Sequence, residues 1–136
     1  MQVEMSKLLK EKKPLLKELV NDLSKEFKYV SILATDSKGK TFSVQKKSVG
    51  ISDSHMCTEC GYVIRVYNGI GYSEYSFDFI ESIESVRTKI IEIAKEDVKV
   101  LKNAGITLLD YPVIEEESVE KTFFAQVPTS LDSINA

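Results

Sequence analysis

Tryptophan is missing from this chain, and it has one histidine, two cysteines and three prolines among its 136 residues. Each shortage excludes something. A single histidine, His55, leaves no room for a histidine-rich metal centre, and any Ser-His-acid or Cys-His arrangement would have to be built on it. Two cysteines close together, Cys57 and Cys60, are no disulfide framework for a secreted domain. No apolar run approaches the roughly 20 residues that span a bilayer. The first residues, Met-Gln-Val-Glu-Met-Ser-Lys, hold no apolar block of the signal-peptide kind, so the expected location is cytoplasmic with no membrane partner. There is no excess of positive charge either. The net charge is -3, and 18 Lys and Arg lie scattered among 21 acids, which argues against nucleic acid as a partner.

What remains is an ordinary globular composition, 43% hydrophobic and 29% charged. The length suits one domain able to bury about two-thirds of its unfolded surface. Its centre is Gly61 to Phe77, where β-branched and aromatic residues flank Asn68-Gly69. Glycine and asparagine tolerate positive φ, so the dipeptide predicts a two-residue type I′ hairpin. In that register Tyr67 faces Ile70, Arg65 faces Tyr72 and lies diagonal to Glu74, Ile64 faces Ser73 and Tyr62 faces Tyr75. The Tyr62/Ile64/Val66 side, opposite the small Gly71 and Ser73, is the candidate core face. Arg65, Tyr67, Tyr72 and Glu74 then form a candidate contact surface on the other side.

Around this hairpin the pattern predicts a helix from Pro14 to Phe27, with Leu15, Leu16, Leu19, Val20, Leu23 and Phe27 at helical spacing and Pro14 as its first residue. A shorter helix before it would end or bend ahead of the proline. Lys28 to Thr35, Thr41 to Ser48 and Ile51 to Met56 read as strands, with a turn at Asp36-Ser37-Lys38-Gly39 and a bulge or bend at Gly50. From Phe79 the period becomes helical through Leu101. Asp78 and Glu81 resemble an acidic capping box, and Asn103-Ala104-Gly105 is a stop, giving a helix of about 26 residues. The expected fold is therefore α+β, an antiparallel meander of five strands with two long helices packed on one face. Residues 1–105 make the domain. Residues 106–136 follow no clear period, and because the chain stops at Ala136 without a closing element they are expected to be a connector toward a C-terminal domain not included here.

Gly61, Arg65 and Val66 in a Gly-x-x-x-Arg-Val stretch, then Gly69 and the Gly71-Tyr72 pair, set between an amphipathic helix and a long second helix, resemble the N-terminal domain of the TldD/PmbA, or modulator of DNA gyrase, family. The resemblance covers about residues 15 to 105. It implies a two-domain zinc metallopeptidase whose His-Glu-x-x-x-His helix and later cysteine lie in the C-terminal domain. This sequence has no His-Glu pair, so the resemblance implies a non-catalytic half with zinc on the missing part. Its work would be homodimer or heterodimer contact with a related subunit and guidance of an unfolded peptide substrate. The gyrase name carries no mechanism to this chain.

Other constellations have plainer readings beside the chemical ones. His55, Cys57 and Cys60 offer three zinc-compatible donors within six residues, but a closed structural site wants four and only Asp53 or Glu59 is near, so two thiols in a connecting loop is the simpler account. A thioredoxin-like role fits worse, because a strand and not a helix follows Cys60. Gly69-Ile-Gly71 lacks the third glycine and the helix that a phosphate loop needs. Arg65 reads either as half of a cross-strand pair or as a fork offered to a peptide carboxylate. Glu115-Glu116-Glu117 and Lys10 to Lys13 read as solvated runs. Two further functions stay open: a stand-alone protein-interaction module, and an independent metal or redox protein centred on the three donors.

Overall fold

The computed structural model describes residues 4–53, 59–106 and 118–123. Its elements are α1 (Lys7–Leu23), β1 (Val30–Ser37), β2 (Lys40–Gln45), β3 (Ser48–Asp53), β4 (Glu59–Tyr67), β5 (Tyr72–Phe77) and α2 (Ile83–Asn103). The class is α+β as expected, with all strands antiparallel and the two helices packed on one sheet. The strands do not form one meander. They divide into a three-stranded sheet in the order β1-β4-β5 and a separate ribbon of β2 and β3.

The reason lies in which residues can be buried. β4 alternates Tyr62, Ile64 and Val66 with outward residues, and these three are 3%, 0% and 0% exposed. A strand that bears the centre of the core takes a neighbour on each side. β1 supplies one from Val30↔Val66 to Ser37↔Glu59, and β5 the other from Tyr62↔Phe77 to Tyr67↔Tyr72. β2 and β3 alternate too, but every residue from Lys40 to Asp53 is exposed. Their ladder is regular through Ser43↔Gly50, so Gly50 marks no bulge.

Helix α1 starts at Lys7, and Pro14 lies inside it rather than at its first position. Ser6 caps the helix, its hydroxyl oxygen accepting from the Leu9 N–H at 3.2 Å. Interior proline costs about 3 kcal/mol by removing one hydrogen bond and crowding the preceding turn. Leu9, two turns before the buried Leu16, is partly buried and packs against the core cluster, and that packing carries the helix across the proline. Helix α2 is likewise displaced from expectation. Ser82, not Asp78, is its cap, accepting from the Ser85 N–H at 3.0 Å, while Ile80 is buried ahead of the helix. Val86, Ile90 and Ala94 form its buried stripe. α1 lies chiefly over β1, and α2 over β5 and β4.

Candidate functional site

The hairpin between β4 and β5 is built differently from the predicted tight turn. Among the described residues no non-glycine residue has positive φ, so Asn68 cannot be the first residue of a type I′ turn; only Gly69, at φ 95°, takes the left-handed region there. Asn68 works through its side chain instead. Its amide oxygen accepts from the N–H groups of Ile70 at 3.0 Å and Gly71 at 2.9 Å, while its backbone N–H donates to the Gly71 carbonyl at 2.9 Å. The loop thus holds Asn68 through Gly71, and Tyr67 pairs with Tyr72, not Ile70. The register moves by two residues relative to expectation. Because side chains alternate with period two, every residue keeps its expected face.

On the face turned away from the helices, the shift makes Glu74 the direct partner of Arg65, with Tyr72 on the diagonal. Arg65 Nε forms an ion pair with Glu74 Oε1, and the guanidinium carbon stands 5.9 Å from the Tyr72 ring centroid. Tyr67 meets Tyr72 edge-on at 5.6 Å, and Tyr29 also meets Tyr72 edge-on, at 5.5 Å and 82°. The four residues expected on this surface are therefore contiguous. Tyr67 is nearly buried while Tyr72 is 50% exposed, so Tyr72 is the ring offered to solvent. Tyr29 was not singled out from sequence. It lies one ladder step before β1, where its carbonyl accepts the Tyr67 N–H at 3.1 Å, and its place follows only from the β1–β4 pairing.

Arg65 is neutralised by Glu74, and the rings present π faces and one half-exposed phenol. Such a surface can stack against apolar or cationic side chains and can form charge-assisted hydrogen bonds by exchange with the existing pair.

The opposite face holds a polar network that the sequence did not disclose. Ser73 is 1% exposed; its hydroxyl donates to Asp97 Oδ2 at 2.6 Å and accepts from Asn68 Nδ2 at 2.8 Å. The turn is thus tied through Ser73 to α2. The small Gly71 and Ser73, with Ser73 opposite Ile64, were expected to allow a helix close approach, but Ser73 faces Val66 and no sequence signal named Asp97 as its partner. Toward the other end of β4, burial pushes the Tyr62 phenol above its ordinary range, with Cys60 and Asp36 adding to the effect.

Of the three zinc-compatible donors, Cys60 is an exposed thiol at the start of β4, in register with Asp36. His55 and Cys57 lie outside the described residues. Among the described residues no group of three or more His, Cys, Asp or Glu side chains is placed to hold a metal ion. No helix among them is long and apolar enough to cross a membrane. A shallow cavity of about 180 Å³ lies between the end of α1 and the start of α2, lined by Asp22, Lys25, Glu26, Ile83, Glu84 and Arg87. Its charges are largely spent on one another, in the Arg87–Glu26 and Lys25–Asp22 pairs. The chain matches no family model, no curated protein and no solved structure.

Proposed function

We propose that this chain is the non-catalytic N-terminal part of a TldD/PmbA-like zinc metallopeptidase, and that its open sheet face serves subunit contact and guidance of an unfolded peptide. The observation that carries the reading is the division of labour across β4. Tyr62, Ile64 and Val66 anchor the helices on one side, while Arg65, Tyr67, Tyr72 and Glu74 form one continuous aromatic and charged surface on the other. The Gly-x-x-x-Arg-Val stretch that carries the resemblance lies on this strand, so the residues that resemble the family are those that position the surface. Zinc chemistry, in this reading, belongs to a His-Glu-x-x-x-His helix on polypeptide beyond Ala136.

The test has two parts. Translation of the gene past residue 136 should reveal the His-Glu-x-x-x-His motif, and the 136-residue chain alone should cleave no unfolded peptide. Turnover by this chain, or a stop codon at its end, overturns the proposal. A second reading, a stand-alone interaction module, is favoured by the two outer edges of the β1-β4-β5 sheet, where an extended peptide could add as a strand. A stop codon after Ala136 together with peptide binding that survives Arg65→Ala and Tyr72→Ala would select it.

A further inference from the structure

Asn68-Gly69 is the only Asn-Gly pair in the chain, and the hairpin loop uses both residues. Gly69 takes φ 95°, where a side chain is strained, and Asn68 supplies the amide oxygen that accepts from the loop's N–H groups. The same dipeptide is chemically labile, because glycine puts no side chain beside its own nitrogen when that atom acts as a nucleophile. In the reaction the Gly69 nitrogen attacks Asn68 Cγ. A bond forms between them, the Cγ–Nδ2 bond breaks, and Nδ2 departs as ammonia. The proton lost by the Gly69 nitrogen balances the one gained by the departing group. Water then opens the five-membered imide to aspartate or, through the other carbonyl, to isoaspartate.

The loop supplies half of what this reaction needs. Asn68 Oδ1, where negative charge gathers in the tetrahedral intermediate, already accepts from the N–H groups of Ile70 at 3.0 Å and Gly71 at 2.9 Å. The Gly69 N–H donates to no other described residue, so the attacking atom has no such bond to give up. The other half is withheld. Nδ2 has to gain a proton in order to leave, and beside it at 2.8 Å stands the Ser73 hydroxyl. A hydroxyl has one proton, and Ser73 gives its own to Asp97 Oδ2 at 2.6 Å. Ser73 therefore turns a lone pair toward Nδ2. At 1% exposure, Ser73 is also closed to water that would compete with Asp97 for that proton.

We infer that Asn68-Gly69 is a latent self-modification site kept closed by the Ser73–Asp97 hydrogen bond, and that opening this bond starts an irreversible conversion of Asn68 to aspartate or isoaspartate. Neither product closes the network again. A carboxylate at position 68 donates no hydrogen bond, and Ser73 has one proton to divide between two carboxylates. Isoaspartate also adds a methylene to the backbone between the paired Tyr67 and Tyr72. Either way the turn is untied from α2. The inference needs neither a contact surface nor a further domain, so it stands apart from the function proposed above.

The experiment incubates the full chain at neutral pH and follows Asn68 by peptide mass spectrometry, with isoaspartate separated from aspartate by elution. The folded chain should convert at least about tenfold more slowly than the same chain unfolded in urea, the factor that one hydrogen bond to a charged group is worth in a rate. Asp97→Ala frees the Ser73 proton to turn toward Nδ2 and should convert at least about tenfold faster than the parent chain. Val86→Ala shortens the buried stripe of α2 and leaves the network intact, so it serves as the comparison, with urea adjusted until the two variants are equally stable. If Asp97→Ala does not fold, Ser73→Ala removes the same link and takes its place in both comparisons. A folded parent chain that converts as fast as the unfolded one overturns the inference. So does a network variant that converts no faster than the parent, or no faster than Val86→Ala at equal stability, which would make general unfolding the gate.

Discussion

Arg65 stands directly across from Glu74 and at the same time over the ring of Tyr72, so one guanidinium links an ion pair to an aromatic chain that runs on to Tyr29. All of these groups except Tyr67 and Tyr29 are substantially exposed, and water competes for the ion pair. Its contribution to stability should accordingly be small.

Arg65→Ala is expected to cost on the order of 0.2–1 kcal/mol in urea unfolding, and a cycle with Glu74→Ala should return a coupling in the same range that shrinks with added salt. If this face contacts a subunit or peptide, the same substitution should weaken that association far more than it lowers stability. Comparing the two readouts separates a structural pair from a binding one.

Ile64 occupies the other side of the same strand, fully buried beneath both helices. Ile64→Ala should destabilise by about 2–5 kcal/mol through lost burial and an unfilled cavity, whereas Val44→Ala, on the exposed ribbon, should change stability by less than about 0.5 kcal/mol. Denaturant midpoints of the two variants measure the contrast.

Ser73, itself closed to solvent, joins two half-buried side chains, Asn68 and Asp97. Ser73→Ala should cost about 0.5–1.5 kcal/mol, because it removes the hydroxyl that links two half-buried groups which water can still partly reach. Hydrogen exchange should quicken at Ile70 and Gly71, whose N–H groups depend on the orientation of the Asn68 side chain.

Glu120 bridges Lys13 at 2.6 Å and Lys17 at 3.2 Å on α1, and those two ammonium groups hold its carboxyl below the ordinary glutamate range. The folded value is depressed, so the associated stability is fully present above the unfolded value. It fades as pH falls through the folded one, in the acid region. Carboxyl carbon NMR should find the Glu120 midpoint below the usual glutamate value, returning toward it in Lys13→Ala/Lys17→Ala.

Much of this architecture can be read from residues alone, and the parts that cannot share a cause. Periodicity reports which side of an element is apolar, and it correctly assigned Tyr62, Ile64 and Val66 to the core and Arg65 and Glu74 to the open face. Period two carries no information about a displacement by two, so the hairpin register escaped it. The choice between a two-residue and a four-residue loop hung on whether Asn68 bends its backbone or uses its side chain. Pro14 misled for a related reason: local preference marks it as a helix start, while the packing of Leu9 that overrides the preference is a tertiary contact. The meander failed because β4 had to join β1 across the whole intervening ribbon, a pairing that sequence order alone does not suggest.

The same long-range pairing makes the ribbon an appendix to the fold. Ser37 and Glu59 face each other, with the Glu59 N–H donating to the Ser37 hydroxyl at 3.1 Å, so the excursion leaves and re-enters the sheet at one rung. A short loop joining those two residues would close the gap without disturbing any buried side chain of the β1-β4-β5 sheet. The body and its projection are therefore separable by surgery at a single rung, and a different hairpin could be spliced in there without removing any buried side chain among the described residues.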